Sequence, residues 1–256
     1  MNYTLITGAG SGIGAALARR CAQESFNLIL VGRDEYQLND LRDSLLKDHQ
    51  LSVQIIVADL LSPDVADYIY RKCREESWAV RILVNNAGLG QWGLFEQLSL
   101  EDCRDMLQLN QRVMVELCHY FIPMLKEVPY AHILNLASTA AFQPTPYFSV
   151  YAASKSFVLS FSQSLRYELK SANINVSCLC PGPTDTPFFE KVGFDMVKYA
   201  KGAIMKPTEV ADEAIRGLTQ QKAVIVPGFS NSMGAVISRH FPRKWMISLI
   251  GKFFQP

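Results

Sequence analysis

Seven short apolar runs alternate along the chain with longer amphipathic segments, and this alternation is the feature that most constrains the fold. Each run has the length of a strand and is rich in Val, Ile and Leu, which is typical of strands buried on both faces of a parallel sheet. The runs are residues 3–7, 28–31, 53–57, 82–84, 132–136, 175–180 and 223–226. The segments with helical periodicity are residues 13–25, 35–48, 63–76, 100–126, 154–171 and 208–219. This succession predicts a doubly wound α/β fold with helices on both faces of one sheet.

No stretch of the sequence has the composition of a linker between domains. We therefore predict one domain over residues 1–256, without internal repeats. The 25 basic residues balance 24 acidic ones, so no nucleic-acid partner is predicted. The longest uncharged stretch, residues 133–154, contains two prolines and two amide side chains, which argues against a membrane span. The first residues lack the basic region of a signal peptide, and we expect a cytoplasmic protein.

The six cysteines do not form a Cys-x-x-Cys pair, so neither a zinc site nor a thioredoxin-type site is predicted. Cys178 and Cys180 alternate within an apolar run and would face the same side of a strand. We expect them to be buried thiols that act as small hydrophobic groups. Reduced thiols agree with the cytoplasmic location.

A glycine-rich turn follows the first predicted strand and opens the first predicted helix. It reads Thr7-Gly8-Ala9-Gly10-Ser11-Gly12-Ile13-Gly14. Glycines allow a tight turn and a close approach of the backbone to a ligand. The helix N-terminus offers free N–H groups to a phosphate, so this position predicts a dinucleotide site rather than a plain turn.

The end of the second predicted strand bears on the choice of dinucleotide. Arg33 stands where the 2′-phosphate of NADP(H) would lie, and a guanidinium binds phosphate well. Asp34 suits a helix N-cap better than a ribose ligand, with Gln37 at the third helical position. The sequence therefore favours NADP(H); the alternative is that Arg33 is only a solvated surface side chain.

Polar residues also follow the third and fourth predicted strands. Asp59, next to Leu60, could hydrogen-bond an adenine amine or could cap a turn. Asn86 belongs to the run Asn85-Asn86-Ala87-Gly88, in which asparagine side chains can join strand ends. Ala87 and Gly88 would leave room for a flat ring.

Tyr151 and Lys155 are spaced one helical turn apart, on one face of a predicted helix. A nearby ammonium would lower the pKa of the phenol, which suits a general acid for a developing alkoxide. Tyr68 and Lys72 have the same spacing, and we interpret that pair as an exposed helix face. Ser138 distinguishes the first pair, because it follows a predicted strand shortly before Tyr151.

Together these motifs resemble those of the short-chain dehydrogenase/reductase family, in the family's order and over nearly the whole chain. The matching pieces are Thr7-Gly8-x-x-x-Gly12-x-Gly14, Asn85-Asn86-Ala87-Gly88, Asn110, Ser138, Tyr151-x-x-x-Lys155 and Pro181-Gly182. The resemblance implies a Rossmann-type parallel sheet of about seven strands. It also implies hydride transfer between a nicotinamide and a carbonyl or alcohol. Gly32-Arg33-Asp34 and Pro227-Gly228-Phe229 are similar to NADP-linked carbonyl and 3-oxoacyl reductases of the family.

The resemblance also implies a role for each matching residue. Tyr151 would be the general acid/base, Lys155 would bind the ribose and lower the pKa of Tyr151, and Ser138 would orient the substrate oxygen. Asn110 would hold a proton-relaying water, although a buried asparagine can equally bond the backbone. The residues after the sixth strand would face the nicotinamide and phosphates: Pro181, Gly182, Thr184 and Thr186.

The function that the sequence favours is an NADP(H)-dependent reductase of a ketone, aldehyde or 3-oxoacyl group. The alternatives are a non-catalytic NADP(H) sensor and an NAD-linked alcohol dehydrogenase of the same fold. A predicted lid over residues 186–206 indicates a lipophilic substrate, or else ordinary packing. Its apolar residues are Phe188, Phe189, Phe194, Met196, Tyr199, Ile204 and Met205.

Two further surfaces are apolar. The predicted helices 100–126 and 154–171 carry apolar residues on more than one face, and the family commonly pairs these helices, so a homodimer or homotetramer is expected. The tail, residues 232–256, has an apolar helical stripe with flanking basic residues, interrupted at Pro242. It could lie on an anionic membrane, dock on another subunit or cap its own substrate cleft.

Overall fold

A computed structural model describes residues 1–194 and 204–255. Seven parallel strands form one sheet, in the order β3-β2-β1-β4-β5-β6-β7. The strands are β1 Asn2–Thr7, β2 Asn27–Gly32, β3 Val53–Val57, β4 Ala79–Asn85, β5 Ala131–Leu136, β6 Ile174–Leu179 and β7 Val224–Ile225. Since the chain passes from β1 outward to β3 and then returns to β4, the strand order reverses at β1 and β4. Open α/β sheets bind ligands beyond the carboxyl ends of the strands at this point.

Helices cover both faces of the sheet, which confirms the predicted Rossmann-like fold. They are α1 Gly12–Gln23, α2 Glu35–Asp48, α3 Val65–Glu75, α4 Leu100–Leu107, α5 Met114–Lys126, α6 Ser149–Glu168, α7 Pro187–Val192, α8 Pro207–Thr219, α9 Phe229–His240 and α10 Arg243–Phe254. Successive β1 residues point to opposite faces: Leu5 packs in the core with α3, α5 and α6, and Ile6 in the core with α1, α2 and α8. The lack of polar alternation in the strand runs follows from this double burial.

Several predicted boundaries were wrong for local backbone reasons. Asp64 has a φ of +54°, so the helix predicted from residue 63 begins at Val65. The helix predicted from residue 154 begins at Ser149, because the carbonyl of Phe148 already accepts from Ala152 N at 2.8 Å. The helix predicted over residues 100–126 contains a π-helical stretch, Gln108–Val113, between α4 and α5.

All six cysteines are buried and free. The sulfur atoms of Cys178 and Cys180 lie 3.7 Å apart, which confirms that both thiols face the same side of β6. Among the described helices, none combines the length and apolar character needed to cross a bilayer.

Candidate active site

The glycine turn joins β1 to α1 beyond the carboxyl end of the sheet. Gly12 has a φ of +53°, a conformation that side chains rarely adopt. A Cβ at Gly14 would collide with the carbonyl oxygen of Gly8 and the amide nitrogen of Asn86, so Gly14 permits the helix to pack against the turn. Ser11 is the N-cap of α1 and its side chain makes no capping bond, which suits the binding of a phosphate by the first N–H groups of α1.

Asn86 ties the ends of β1 and β4 together behind this turn. Its side-chain nitrogen donates to the carbonyl oxygens of Thr7, at 2.8 Å, and Gly8, at 3.2 Å. The Thr7 hydroxyl accepts in return from the backbone N–H groups of Asn86 and Ala87. Asn85 makes the corresponding link from β4 to β5, because its side-chain nitrogen donates to Asn135 Oδ1 at 2.8 Å. These bonds confirm the predicted use of paired asparagines between strand ends.

Arg33 follows β2 directly, is exposed and faces the cleft. Asp34 is the N-cap of α2, and its Oδ1 accepts from the backbone N–H of Gln37 at 3.1 Å, as predicted. One of the two Asp34 carboxylate oxygens is therefore engaged by the helix. This arrangement leaves Arg33 as the charged side chain of the β2 end that is suited to a 2′-phosphate.

Asp59 also borders the cleft, together with Leu60. Its Oδ1 accepts from the backbone N–H of Leu61 at 3.0 Å, so it caps a turn, which was the alternative to an adenine contact. Binding of adenine by Asp59 stays a prediction.

Three polar side chains meet where β5 ends and α6 begins. Ser138 Oγ accepts from Ala140 N at 3.1 Å and is hydrogen-bonded to the Tyr151 phenol. Lys155 donates from Nζ to the carbonyl oxygen of Leu136 at 2.9 Å, and its Nζ lies 5.7 Å from the centroid of the Tyr151 ring. The helix that carries Tyr151 and Lys155 thus places both beside Ser138.

Burial controls the protonation of this group. It raises the pKa of Tyr151 to about 12, although the hydrogen bond from Ser138 acts in the opposite direction. Burial likewise lowers the pKa of Lys155 to about 8. The pKa of Tyr151 is therefore raised overall, because removal of the phenolate from water outweighs the hydrogen bond with Ser138, and a lowering of this pKa by Lys155 stays a prediction.

Asn110 lies within the π-helical stretch and is buried. Its Oδ1 accepts from Leu89 N at 2.8 Å, and its Nδ2 donates to Leu89 O at 2.9 Å and to Ser154 Oγ at 3.0 Å. These bonds match the backbone-bonding alternative. A water relay through Asn110 stays a prediction, and π-helical turns are frequent at functional sites.

One cavity of about 780 Å³ connects the glycine turn with Tyr151. All of the predicted site residues line it except Gly14, which packs behind the turn, and Asn110. The lining members of the predicted set are Gly8, Gly10, Ser11, Gly12, Ile13, Arg33, Asp59, Leu60, Asn86, Ala87, Gly88, Ser138, Tyr151, Lys155, Pro181, Gly182, Thr184 and Thr186. The segment after β6 folds back over the glycine turn, since a Cβ on Gly12 would lie 3.1 Å from Thr186 Cγ2.

The end of the cavity beyond Tyr151 is aromatic. Phe148 is 4% exposed, and its ring centroid lies 5.6 Å from that of Phe194 and 5.3 Å from that of Phe254. The ring of Phe188 lies 5.6 Å from that of Tyr151. Sequence reasoning identified the lid residues Phe188, Phe189 and Phe194, which line the cavity, whereas Met196 and Tyr199 lie outside the described residues.

The C-terminal helix closes this aromatic end. Phe253 and Phe254 line the cavity, and Trp92 Nε1 donates to the carbonyl oxygen of Phe254 at 2.9 Å. The described part of the tail therefore matches the prediction that it caps its own cleft. Phe148 and Phe254 were missed as lining residues, because no local motif connects residues so distant in sequence.

The second Tyr-x-x-x-Lys pair lies away from the cavity. Tyr68 is 45% exposed, and Lys72 pairs with Glu76 at 2.6 Å. This confirms that the pair belongs to an exposed helix face.

Comparison with known proteins agrees with this geometry. A family model described as short chain dehydrogenase matches residues 2–196. Sulfoacetaldehyde reductase 2 of Chromohalobacter salexigens is 37% identical over 189 residues, which are 73% of this chain and 74% of that protein.

Two solved structures are similar over 98% of this chain. A short-chain dehydrogenase from Sphingobium yanoikuyae in complex with NADPH has 31% identity, a TM-score of 0.83 and 93% of its own length covered. The bulky-bulky ketone specific alcohol dehydrogenase from Comamonas testosteroni has 27% identity, a TM-score of 0.79 and 92% of its length covered. The chain belongs to the short-chain dehydrogenase family and is an oxidoreductase that acts on carbonyl or alcohol groups with a nicotinamide cofactor.

Proposed function

We propose that the protein is an NADPH-dependent reductase of a lipophilic ketone, aldehyde or 3-oxoacyl compound. The observation that carries this proposal is the continuous cavity that runs from the glycine turn past Ser138 and Tyr151 to an aromatic end. A cofactor at the glycine turn and a substrate at the aromatic end would meet at these two side chains.

The cofactor, when bound, supplies the hydride. The first turn of α1 would hold its pyrophosphate, Arg33 would pair with the 2′-phosphate of NADPH, and Lys155 would contact the nicotinamide ribose. The exposed position of Arg33 and the capping role of Asp34 support NADPH over NADH. The Sphingobium relative is described as an NADPH complex, which agrees with this choice.

Tyr151 would act as the general acid. With its pKa raised to about 12, the phenol is neutral at physiological pH and can donate a proton to a carbonyl oxygen that gains negative charge. Ser138 would hold that oxygen by a hydrogen bond. The ammonium of Lys155, 5.7 Å from the centroid of the Tyr151 ring, would stabilise the phenolate that the transfer leaves behind. The neutral phenol is the form that reduction requires, whereas alcohol oxidation requires the phenolate as a base.

The aromatic end supports the substrate class. Phe148, Phe194 and Phe254 pack with their ring centroids between 5.2 and 5.6 Å apart. Such walls favour flat or bulky apolar substituents, because burial of apolar surface drives their binding. The name of the Comamonas relative, an alcohol dehydrogenase specific for bulky-bulky ketones, agrees with this class.

The experiment is NADPH consumption over a panel of aromatic ketones, steroids and 3-oxoacyl thioesters. Tyr151→Phe should lower turnover by about 10²-fold or more, because the proton donor is lost. NADPH affinity should stay within about twofold of the wild type, because the phenyl ring remains in place. Tyr68→Phe is the matched control, since it has the same spacing to a lysine, and should leave turnover unchanged. Binding of NADPH by the wild-type protein without oxidation on any substrate would favour the sensor alternative. Retained activity in Tyr151→Phe would refute the assignment of the acid.

A further inference from the structure

The last two helices expose a row of large apolar side chains although their opposite faces are packed. On α9, Phe229 is 82% exposed and Ile237 50%. On α10, Trp245 is 70% exposed and Leu249 66%. Exposed apolar residues that are contiguous along a helix mark an interaction surface more often than scattered ones do.

Helical spacing places these residues on single faces. Phe229, Met233 and Ile237 follow one another at intervals of four on α9, as Trp245 and Leu249 do on α10. The buried residues Ala235 and Ile250 belong to the other faces. One face of each helix therefore packs against the rest of the protein, and another apolar face is exposed to solvent. We call the outward residues of α9 and α10 the tail face; they are Phe229, Met233, Val236, Ile237, Trp245 and Leu249.

The charge of this region is strongly asymmetric. Residues 229–256, which include both helices, contain four Lys or Arg and no Asp or Glu, whereas the rest of the chain has 21 basic and 24 acidic residues. Arg243, Lys244 and Lys252 are exposed on α10. No ion pair to these three residues is found within the described parts of the chain. Along α10 the tail face is thus apolar with a basic border.

We propose that the tail face docks on an anionic lipid bilayer. A helix with outward Trp, Leu and Phe and with flanking basic side chains lies in the interface between headgroups and acyl chains, and anionic lipids attract its cations. A second copy of the chain fits less well, because a two-fold interface would bring two uncompensated basic surfaces together. Charge complementarity therefore favours the lipid surface.

The position of α10 relates this surface to the cavity. The same helix carries Trp245 and Leu249 outward and Phe254 into the aromatic end, where Trp92 holds the Phe254 carbonyl. Docking through the outward side would bring the aromatic end of the cavity near the bilayer, in which lipophilic compounds concentrate. The docking itself does not depend on which substrate is reduced.

The test is sedimentation of the full-length protein with vesicles of phosphatidylcholine, with and without about 30 mol% phosphatidylglycerol. We expect cosedimentation with the anionic vesicles, weak binding to neutral ones, and loss of binding at high salt. Trp245 is far more exposed than Trp78 or Trp92, so a blue shift of tryptophan emission on binding would report contact at α10.

Two exposed positions provide variants that should fold. Trp245→Ser with Leu249→Ser should lower the partition coefficient onto anionic vesicles at least about tenfold. Tyr167→Ser is the matched control, since Tyr167 is 83% exposed on α6, and it should bind like the wild type. Absence of binding by the intact protein, or binding unaffected by the double substitution, would overturn the proposal. A change of oligomer mass in the double variant, without vesicle binding by the wild type, would assign the tail face to a second copy.

Discussion

Lys155 should lower the stability of the protein although it belongs to the proposed catalytic group. The side chain is 3% exposed, and burial lowers its pKa from the ordinary 10.5 to about 8. The charged form is therefore held in a place that disfavours it. Replacement by Met, which keeps the length of the chain and removes the charge, should make the protein more stable at pH 7.

The magnitude follows from the pKa and from the one bond that is lost. The lowering of the Lys155 pKa from 10.5 to about 8 corresponds to roughly 3 kcal/mol of disfavoured charge, at about 1.36 kcal/mol for each pKa unit. Lys155→Met also removes the hydrogen bond to the Leu136 carbonyl oxygen, and this loss cancels about 1 kcal/mol of the gain in stability. We expect a net gain of about 2 kcal/mol in the free energy of unfolding.

The gain should depend on pH in a definite direction. Below pH 8 the lysine is charged in both the folded and unfolded states, so the wild type carries the full destabilisation. As the pH rises from 8 to 10.5, the folded protein releases the proton first and the destabilisation disappears. The advantage of Lys155→Met should thus be large at pH 7 and nearly absent above pH 10.

Urea unfolding at pH 7 and at pH 10 measures this difference. The control is Lys47→Met, because Lys47 is exposed on α2, and its effect should stay within about 0.5 kcal/mol at both pH values. A Lys155→Met variant that is less stable than the wild type at pH 7, or whose advantage grows toward pH 10, would refute the reasoning.

Two more predictions concern the cofactor and the subunits. In binding titrations, Arg33→Ala should weaken NADPH affinity about tenfold and leave NADH affinity nearly unchanged. A tenfold loss is at the low end for a charge-assisted hydrogen bond, because Arg33 is exposed to solvent. An equal loss of affinity for both cofactors would show that Arg33 has a structural role. Phe157 is 41% exposed on α6 and borders a shallow depression with Leu107 and Val115. Phe157→Arg should therefore dissociate the predicted dimer, as measured by light scattering at micromolar concentration. A monomeric wild type would contradict the predicted pairing of the 100–126 and 154–171 helices between subunits.

Local sequence patterns were sufficient to predict the strands, the helix cap at Asp34 and the position of the cavity. The apolar runs predicted all seven strands, because strands covered on both faces are predominantly apolar and lack a regular polar alternation. The Asp34 cap was predictable because a short acceptor at the N-cap satisfies a free N–H group. The position of the cavity was also predictable. The glycine turn, the paired asparagines and Ser138 each follow a predicted strand, and parallel strands bring their carboxyl ends to one edge of the sheet.

Other features depend on contacts between distant segments and could not be predicted in this way. The wall made by Phe148 and Phe254 joins residues 106 positions apart, and only the packing of α10 brings them together. The direction of the pKa shift of Tyr151 depends on how deeply the phenol is buried, and the spacing to Lys155 does not contain that information. The start of α3 depends on the left-handed backbone of Asp64.

Two polar side chains around the cavity also bond the ends of the strands, so the site and the sheet share hydrogen bonds. Asn86 bonds the carbonyls that end β1, and Lys155 bonds the Leu136 carbonyl that ends β5. A buried polar group without a partner is costly, so these hydrogen bonds matter to the strand ends as well as to the site. The side chains that approach the cofactor site are thus the ones that satisfy the ends of the strands. A substitution of Asn86 should therefore weaken the packing of β1 against β4 as well as cofactor binding, whereas a substitution of exposed Arg33 can affect the cofactor alone.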